Sequence, residues 1–207
     1  MSLVLLHADE ALLAVDKPAG VLAVPGRGTD KQDCLAARVQ AQWPDALVVH
    51  RLDQATSGLM LFARGAAMQR RLSMDFAARR IEKHYVARVH GRPAQDSGRI
   101  ELPLAADWPR RPLQKVDLQH GKPSITDWQL LDFDAAQGIA RLALQPLTGR
   151  SHQLRVHLAA IGHPIVGDAL YAPAQLQVHR LMLHACALSL QHPTNGQRLQ
   201  LHCAAPF

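Results

Sequence analysis

The sequence lacks the features that would place it in a membrane or outside the cell. It has no run of about 18 apolar residues, the length needed to cross a bilayer. Its first residues form neither a basic segment nor a long apolar run, so a secretion signal is not expected. The three cysteines, Cys34, Cys186 and Cys203, are odd in number and widely spaced, which excludes a disulfide framework. We therefore expect a cytoplasmic protein with reduced thiols and no membrane partner.

Motifs for metal binding are also missing. None of the 12 histidines belongs to a His-Glu-x-x-His motif. His152 and His157 lie five positions apart, which is not the one-turn spacing that places two ligands on one helical face. No Cys-x-x-Cys pair indicates zinc either. We expect neither a metal nor a cofactor.

What the sequence does contain is enough apolar material for a packed core. Apolar residues make up 48% of the 207 residues and charged residues 19%, a composition that excludes a disordered chain. The length fits a single domain or two small units with a shared core. A monomer is the expected state for a chain of this size.

Positive charge is concentrated in one segment. The chain has 23 Lys and Arg against 17 Asp and Glu, a net charge of +6. All of that excess lies between residues 64 and 92, where eight basic residues face only Asp75 and Glu82. Met68, Leu72 and Phe76 recur every four residues there, which predicts a helix with a buried stripe and arginines towards solvent. Such a surface is either a solvated face or a contact for the phosphates of a nucleic acid.

Hydrophobic patterns along the chain predict an α+β fold. Alternating or continuous apolar runs predict strands that form a mostly antiparallel, mixed sheet with flanking helices. The predicted strands cover residues 4–16 (with a turn), 58–63, 84–89, 124–132, 139–144, 181–190 and 198–202. The predicted helices cover residues 33–42, the basic segment and residues 152–161. Prolines in residues 107–112 predict a loop.

Three short segments contain groups suited to catalysis. Residues 50–58 (HRLDQATSG) surround Asp53 with a histidine, an arginine and two hydroxyls between apolar runs. Residues 147–157 bring Arg150 to the start of a helix, where it could hold a carboxylate in a bidentate pair. Residues 83–87 place Tyr85 in a strand. Each segment taken alone also fits a plain structural role, such as a capped turn or a half-buried strand residue.

Taken together, these segments resemble the RluA-type family of RNA pseudouridine synthases. Residues 50–58 are similar to the family signature around its catalytic aspartate, and residues 16–20 (DKPAG) to its N-terminal motif. Residues 83–87 and 148–157 resemble its tyrosine and arginine motifs, and two later blocks match around residues 162–168 and 183–193. The 49 residues before His50 are too few for the S4-type RNA-binding domain of many relatives. We therefore expect residues 1–207 to form a single catalytic domain.

The resemblance implies the pseudouridine synthase fold and a chemistry without cofactors. A uridine in structured RNA becomes pseudouridine when its glycosidic bond moves from a ring nitrogen to a ring carbon. Asp53 would be the catalytic carboxylate, acting as a nucleophile or as an electrostatic partner, and Arg150 its ion-pair partner. Tyr85 would stack on the uracil or take the proton from the carbon that becomes bonded. Arg51 would fill the gap left by the flipped nucleotide.

The remaining candidates for RNA contact come from the same motifs and the basic segment: His50, Thr56, Arg70, Arg71, Arg79, Arg80, Lys83 and Arg155. Residues 102–116 resemble the subgroup that acts on both tRNA and 23S rRNA, which would mean uridine 32 of the anticodon loop and uridine 746 of the rRNA. Two alternatives stay open: a synthase of this family with one RNA site, and a non-catalytic RNA-binding protein. A sugar glycosidase fits less well, because that chemistry uses two acidic groups.

Overall fold

The computed structural model describes residues 3–173 and 179–207, which form two units. Unit 1 comprises Met1–Lys83 and His184–Pro206, and unit 2 comprises His84–Leu183 with Phe207. In chain order the regular elements are β1 (Val4–Ala8), β2 (Leu12–Lys17), α1 (Leu35–Gln40), β3 (Ala46–Val48), β4 (Ser57–Arg64), α2 (Gly65–Ala77), β5 (Glu82–His90), β6 (Ser97–Glu101), β7 (Leu104–Ala106), β8 (Gln114–Val116), β9 (Ile125–Asp134), β10 (Ile139–Pro146), α3 (Gln153–Ala160), β11 (Leu183–Gln191) and β12 (Arg198–His202).

In unit 1 the sheet is mixed and is organised around β4. β2 and β3 pair antiparallel with β4, β1 pairs antiparallel with β2, and β12 pairs antiparallel with β11. β11 lies parallel to β4, with His184 opposite Ser57 and Ala185 opposite Gly58. Gly58 has φ +112°, and a side chain there would overlap the backbone of Ala185. This position therefore requires glycine.

Both faces of this sheet are covered, because successive residues of a strand point to opposite sides. One face packs Leu59 and Leu61 of β4 against Leu72 of α2. The other face packs Met60 and Phe62 against α1. A strand buried on both faces is a continuous apolar run, which is the pattern that residues 58–63 show.

The strands of unit 2 are antiparallel throughout. β10 pairs with β5 and β9, and β6 pairs with β9. β7 and β8 form a separate hairpin with a short helical turn, Trp108–Arg110, at its tip. α3 is packed so closely that residues 153–158 are all buried.

The structure confirms the predicted α+β class with its mostly antiparallel, mixed sheet and few helices. The basic helix is present as α2, and the apolar stripe contributes Leu72 to the core. α1 is shorter than the predicted residues 33–42, since Cys34 is its N-cap and Pro44 follows closely. No helix in the described part of the chain is long and apolar enough to cross a membrane.

Candidate active site

Asp53 lies in the loop between β3 and β4 of unit 1. The loop closes in a turn in which the Thr56 amide donates to the Asp53 carbonyl over 3.1 Å. The Asp53 side chain is half-buried, whereas Thr56 is buried where β4 begins. A rigid strand thus follows the aspartate by four residues, which limits how far the carboxylate can move.

A buried lysine makes a hydrogen bond to this loop. Lys17 ends β2 with no exposed surface, and its ammonium donates to the carbonyls of Pro18 (2.9 Å), Val21 (2.7 Å) and Gln54 (3.0 Å). Burial lowers the pKa of Lys17 to about 8, while the nearby negative charges of Asp53 and Asp16 act in the opposite direction. Through its hydrogen bond to the Gln54 carbonyl, the ammonium places a positive charge beside the loop that contains Asp53.

Residues 18–21 are joined to the Asp53 loop by backbone contacts as well. The Gly20 amide donates to the Gln54 carbonyl over 2.8 Å, and the Gln54 side-chain amide donates to the Gly20 carbonyl over 3.0 Å. The residue next to Asp53 is therefore fixed on both sides. Sequence reasoning noted residues 16–20 only as a motif and missed this role of Lys17. The signal for this role in the sequence was a lysine at the end of a buried strand.

The other polar residues of the loop differ in their access to solvent. Arg51 is exposed. His50 stacks on Phe76 with ring centroids 4.5 Å apart, and its Nε2 accepts a 2.9 Å hydrogen bond from the Leu61 amide. Burial, with a smaller contribution from Lys83, lowers the pKa of His50 to about 3, so the ring is neutral. His50 packs within unit 1, and a contact of this residue with RNA stays a prediction.

The basic helix gives unit 1 an exposed arginine surface. Arg70, Arg71, Arg79 and Arg80 are all exposed on α2 or just after it. Arg71 and Arg80 share the buried carboxylate of Asp75, with Nε–O distances of 3.4 and 2.7 Å. Lys83 is half-buried, and burial together with Arg79 lowers its pKa to about 8. These side chains form a positive surface, but Asp75 neutralises part of it.

One group with metal-ligand spacing occurs within the described residues: Asp16, His184 and Cys203 of unit 1. His184 uses both ring nitrogens inside the protein, with Ser57 Oγ at 2.9 Å and the Cys203 carbonyl at 3.2 Å. Burial and the nearby Asp16 raise the pKa of the Cys203 thiol to about 12. A protonated thiol and an occupied imidazole fit a hydrogen-bonded core cluster better than a metal site.

Arg150 belongs to unit 2 and lies in the turn before α3. It is exposed, and its amide donates to the Gln153 side-chain oxygen over 3.0 Å. The same oxygen accepts from the Thr148 hydroxyl at 2.8 Å, and the Gln153 amide nitrogen donates to the Ile125 carbonyl at 2.9 Å. The buried Gln153 therefore fixes the arginine turn to β9. The sequence analysis did not single out Gln153.

Arg155 is placed differently from the prediction that it contacts RNA. Its guanidinium binds both carboxylate oxygens of Asp168, at 2.8 and 2.7 Å, and the residue is 4% exposed. An RNA phosphate would have to break this pair to reach Arg155. Burial in a bidentate pair argues against an RNA contact, so Arg155 is part of the core of unit 2.

The predicted site residues are thus divided between the two units. His50, Arg51, Asp53 and Thr56 share one loop of unit 1, and the basic surface of α2 belongs to the same unit. Tyr85, half-buried in β5 opposite Leu144, and Arg150 belong to unit 2.

Comparisons with known proteins give consistent results. Residues 11–160 match the sequence profile of the RNA pseudouridylate synthase family. The dual-specificity RNA pseudouridine synthase RluA of Escherichia coli (strain K12) is 45% identical over 207 residues, covering 99% of this chain and 94% of that protein. The protein of the same name from Yersinia pestis is 46% identical, covering 99% and 100%. The structure of human RNA pseudouridylate synthase domain containing 1 is similar with a TM-score of 0.83 at 29% identity, covering 100% of this chain and 84% of that one.

Proposed function

Since this chain belongs to the RNA pseudouridylate synthase family and isomerises uridine to pseudouridine in RNA, we propose that Asp53 is its catalytic carboxylate. One observation carries this proposal. Within the loop that resembles the family signature, the buried ammonium of Lys17 donates a 3.0 Å hydrogen bond to the carbonyl of Gln54, the residue that follows Asp53. A fixed positive charge beside the loop attracts an anionic group, and a nucleophile or an electrostatic partner acts in its anionic form.

The reaction needs no external electron or group donor. The bond between the sugar and the ring nitrogen breaks, a bond from the sugar to a ring carbon forms, and that carbon loses its proton to solvent while the nitrogen gains one. A uridine in a stem or stacked loop hides these atoms, so the nucleotide has to leave the stack at a cost of a few kcal/mol. Arg51, which is exposed beside Asp53 in sequence, is the side chain that fills the gap.

Tyr85 and Arg150 complete the proposed set of catalytic residues. Tyr85 stacks on the uracil and is the candidate to take the proton from the ring carbon. Arg150 pairs with the reactive carboxylate, and the hydrogen bonds that Gln153 makes to the turn hold its backbone in place. Both assignments rest on the resemblance of residues 83–87 and 148–157 to the family motifs.

The RNA substrates are proposed to be a tRNA anticodon loop and a segment of 23S rRNA. The relatives from Escherichia coli and Yersinia pestis are named dual-specificity enzymes, and the similarity to them covers 99% of this chain. The exposed arginines of α2 are proposed to bind phosphates that flank the target uridine, which positions RNA without reading its sequence. We also propose that residues 1–207 act as a single catalytic domain of a cytoplasmic monomer.

The decisive experiment compares Asp53→Asn with the parent protein. RNA stem-loops from tRNA and from 23S rRNA carry tritium at the ring carbon that becomes bonded, and tritium release is counted. We expect release by Asp53→Asn to fall to background while its affinity for RNA stays near the parental value. Asp33→Asn is the matched control, because it also removes one carboxylate from unit 1, and that carboxylate is exposed and pairs with Arg38.

Release of label by Asp53→Asn at the parental rate would contradict the assignment of Asp53. RNA binding by the parent without release of label from any stem-loop would instead identify these RNAs as wrong substrates. Release from only one of the two stem-loops would contradict dual specificity and leave the role of Asp53 intact.

A further inference from the structure

The most exposed tryptophan among the described residues is at the tip of the β7–β8 hairpin of unit 2. Trp108 is 67% exposed, although tryptophan usually buries most of its large apolar surface. Trp43 and Trp128, the other two tryptophans, are half-buried. The exposed indole of Trp108 therefore offers a large aromatic surface to a binding partner.

Hydrogen bonds hold the loop around Trp108 in one conformation. The Asp107 amide donates to the Leu113 carbonyl over 2.9 Å, and the amides of Arg110 and Leu113 close two further turns at 3.0 Å each. The Asp107 side chain is buried and accepts from Arg110 Nε over 2.8 Å. Trp108 is thus held in place before any partner binds, which reduces the entropy lost on binding.

A guanidinium lies directly against the exposed ring. Arg111 Cζ is 3.5 Å from the centroid of the Trp108 ring, a cation–π contact. Together the two side chains form a flat, positively charged surface, which we name the Trp108–Arg111 platform. Nucleobases stack on aromatic rings and on guanidinium planes, and their phosphates are attracted by the positive charge.

The charge around the platform favours a polyanion. Four exposed basic side chains lie on the hairpin and the turn that follows it: Arg110, Arg111, Lys115 and Lys122. The two acidic residues there are already engaged. Asp107 binds Arg110, and Asp117 pairs with Lys115 at 3.5 Å and caps its turn through the His120 amide at 2.9 Å, so Arg111 and Lys122 carry the excess positive charge. Charge and aromatic surface together fit RNA better than an apolar protein partner.

The hairpin is also attached to the segment that contains Arg150. The Tyr171 hydroxyl accepts from the Gln114 amide of β8 over 2.8 Å and contacts His152 Nδ1 over 2.6 Å. His152 follows Arg150 by two residues. The Leu104 and Lys122 backbones exchange hydrogen bonds of 3.0 and 2.8 Å at the base of the hairpin. RNA held on the platform would therefore bind the same unit that contains Arg150.

We propose that the Trp108–Arg111 platform is an RNA subsite that stacks an unpaired base of the substrate away from the reacting uridine. This inference rests on the proposed function only in taking RNA as the ligand, and it assigns the platform a role in affinity and in the choice among RNA substrates. It gives the platform no part in the chemistry.

The test compares Trp108→Ala, Trp108→Phe and Arg111→Gln with the parent, using the tritium-labelled stem-loops. Stacking on one aromatic ring corresponds to a loss of about 5- to 150-fold in binding when the ring is removed. We expect Trp108→Ala to raise KM within that range with kcat within about two-fold, and Trp108→Phe to stay closer to the parent. Leu131→Ala, which removes an exposed apolar side chain from β9 of the same unit, is the matched control.

A second readout uses the fluorescence of Trp108 in direct titrations with RNA. We expect RNA to quench the parent protein strongly and Trp108→Phe weakly, since stacking quenches the indole. Unchanged KM and Kd in Trp108→Ala, with equal quenching in Trp108→Phe, would exclude the subsite and leave a protein partner as the explanation. A loss of kcat at unchanged KM would also overturn it.

Binding measured by quenching does not depend on which carboxylate is catalytic. If the platform does not bind RNA, the quenching titration shows it. If Asp53 is not the catalytic carboxylate, Asp53→Asn retains tritium release. The two results are therefore distinguishable. If Trp108→Ala lowers the thermal stability of the protein, Arg111→Gln keeps the test valid, because it removes the guanidinium and leaves the indole.

Discussion

Arg155 and Asp168 form a bidentate ion pair inside unit 2, with Nε–Oδ2 and Nη2–Oδ1 distances of 2.8 and 2.7 Å. Their side chains are 5% and 0% exposed. Asp168 also accepts from the backbone amides of Leu170 and Tyr171, at 3.0 and 3.2 Å. The pair therefore joins α3 to the segment that holds Tyr171, which in turn anchors the β7–β8 hairpin.

Removing one partner of this pair is expected to destabilise the protein strongly. Arg155→Met leaves a buried carboxylate without its cation, a change that costs about 3–5 kcal/mol in comparable cases. Arg92→Met, which removes an exposed ion pair with Asp96 in the same unit, is expected to cost about 0–1 kcal/mol. Urea unfolding of both variants measures the difference. Parental stability of Arg155→Met combined with weaker RNA binding would instead support the predicted RNA contact.

The buried ammonium of Lys17 predicts a rise in stability with pH. Burial lowers the Lys17 pKa from 10.5 to about 8 against the opposing charges of Asp53 and Asp16, so the unfolded chain binds this proton more tightly. The free energy of unfolding therefore rises with pH across the window between the two values. We expect Lys17→Met to lose about 1 kcal/mol of the increase that the parent shows between roughly pH 7 and 9.

Urea unfolding at several pH values tests this prediction. Lys83 contributes a rise of the same sign, since burial and Arg79 lower its pKa to about 8, so part of the increase remains in Lys17→Met. Above the ordinary thiol value of 9.0 Cys203 opposes part of this rise, because burial raises the pKa of its thiol to about 12. Lys122→Met, which removes an exposed lysine, keeps the parental profile. An identical profile in Lys17→Met would show that Lys17 is not the titrating group.

Tyr85→Phe separates the two roles proposed for Tyr85. The phenyl ring still stacks on uracil, so KM is expected to stay within about three-fold of the parent. The missing hydroxyl removes the proton acceptor, and a general base typically contributes 10²–10⁴-fold, so kcat is expected to fall by about 10²-fold or more. Tritium release measures both constants. Full kcat in Tyr85→Phe would leave stacking as the only role of Tyr85.

Asp9 predicts loss of stability in acid. Burial alone would raise its pKa, but hydrogen bonds from His7, His192 and the Leu12 and Ala11 amides outweigh burial and hold the pKa well below its usual range. Such a carboxylate stabilises the fold above the ordinary value of 3.8, and this contribution is lost as pH falls through the folded-state pKa.

We therefore expect Asp9→Asn to be less stable than the parent near neutral pH and to lose less stability on acidification. Thermal unfolding between roughly pH 7 and 3 measures the difference. Glu10→Gln is the matched control, because it removes a charge from an exposed position of the same turn. Equal acid sensitivity of Asp9→Asn and the parent would contradict the role of Asp9.

The elements that local pattern could predict are those whose burial follows a simple period. The stripe of Met68, Leu72 and Phe76 predicts α2, and the run of residues 58–63 predicts β4, because one-sided and two-sided burial leave different patterns. The first residue of α1 was less predictable. Its N-cap is Cys34, a weak acceptor that composition alone does not indicate.

The residues that sequence reasoning missed or misplaced depend on contacts between distant segments. The sequence predicts a contact with RNA for Arg155, since no local pattern shows that Asp168, 13 positions away in sequence, lies at hydrogen-bond distance in space. Lys17 and Gln153 are polar residues whose burial is possible only because backbone carbonyls satisfy them. Resemblance to a family indicated the segments, but only the fold showed what these side chains bind.

The parallel pairing of β4 with β11 has a consequence for synthesis on the ribosome. β1–β4 leave the exit tunnel before residues 84–182 of unit 2, whereas β11 and β12 follow these residues. The strands of unit 2 can therefore pair before β11 and β12 have joined the sheet of unit 1. Until β11 has been made, Ser57 and Gly58 at the start of β4 lack their parallel partner, and an unpaired strand edge is the kind of surface that chaperones protect from aggregation.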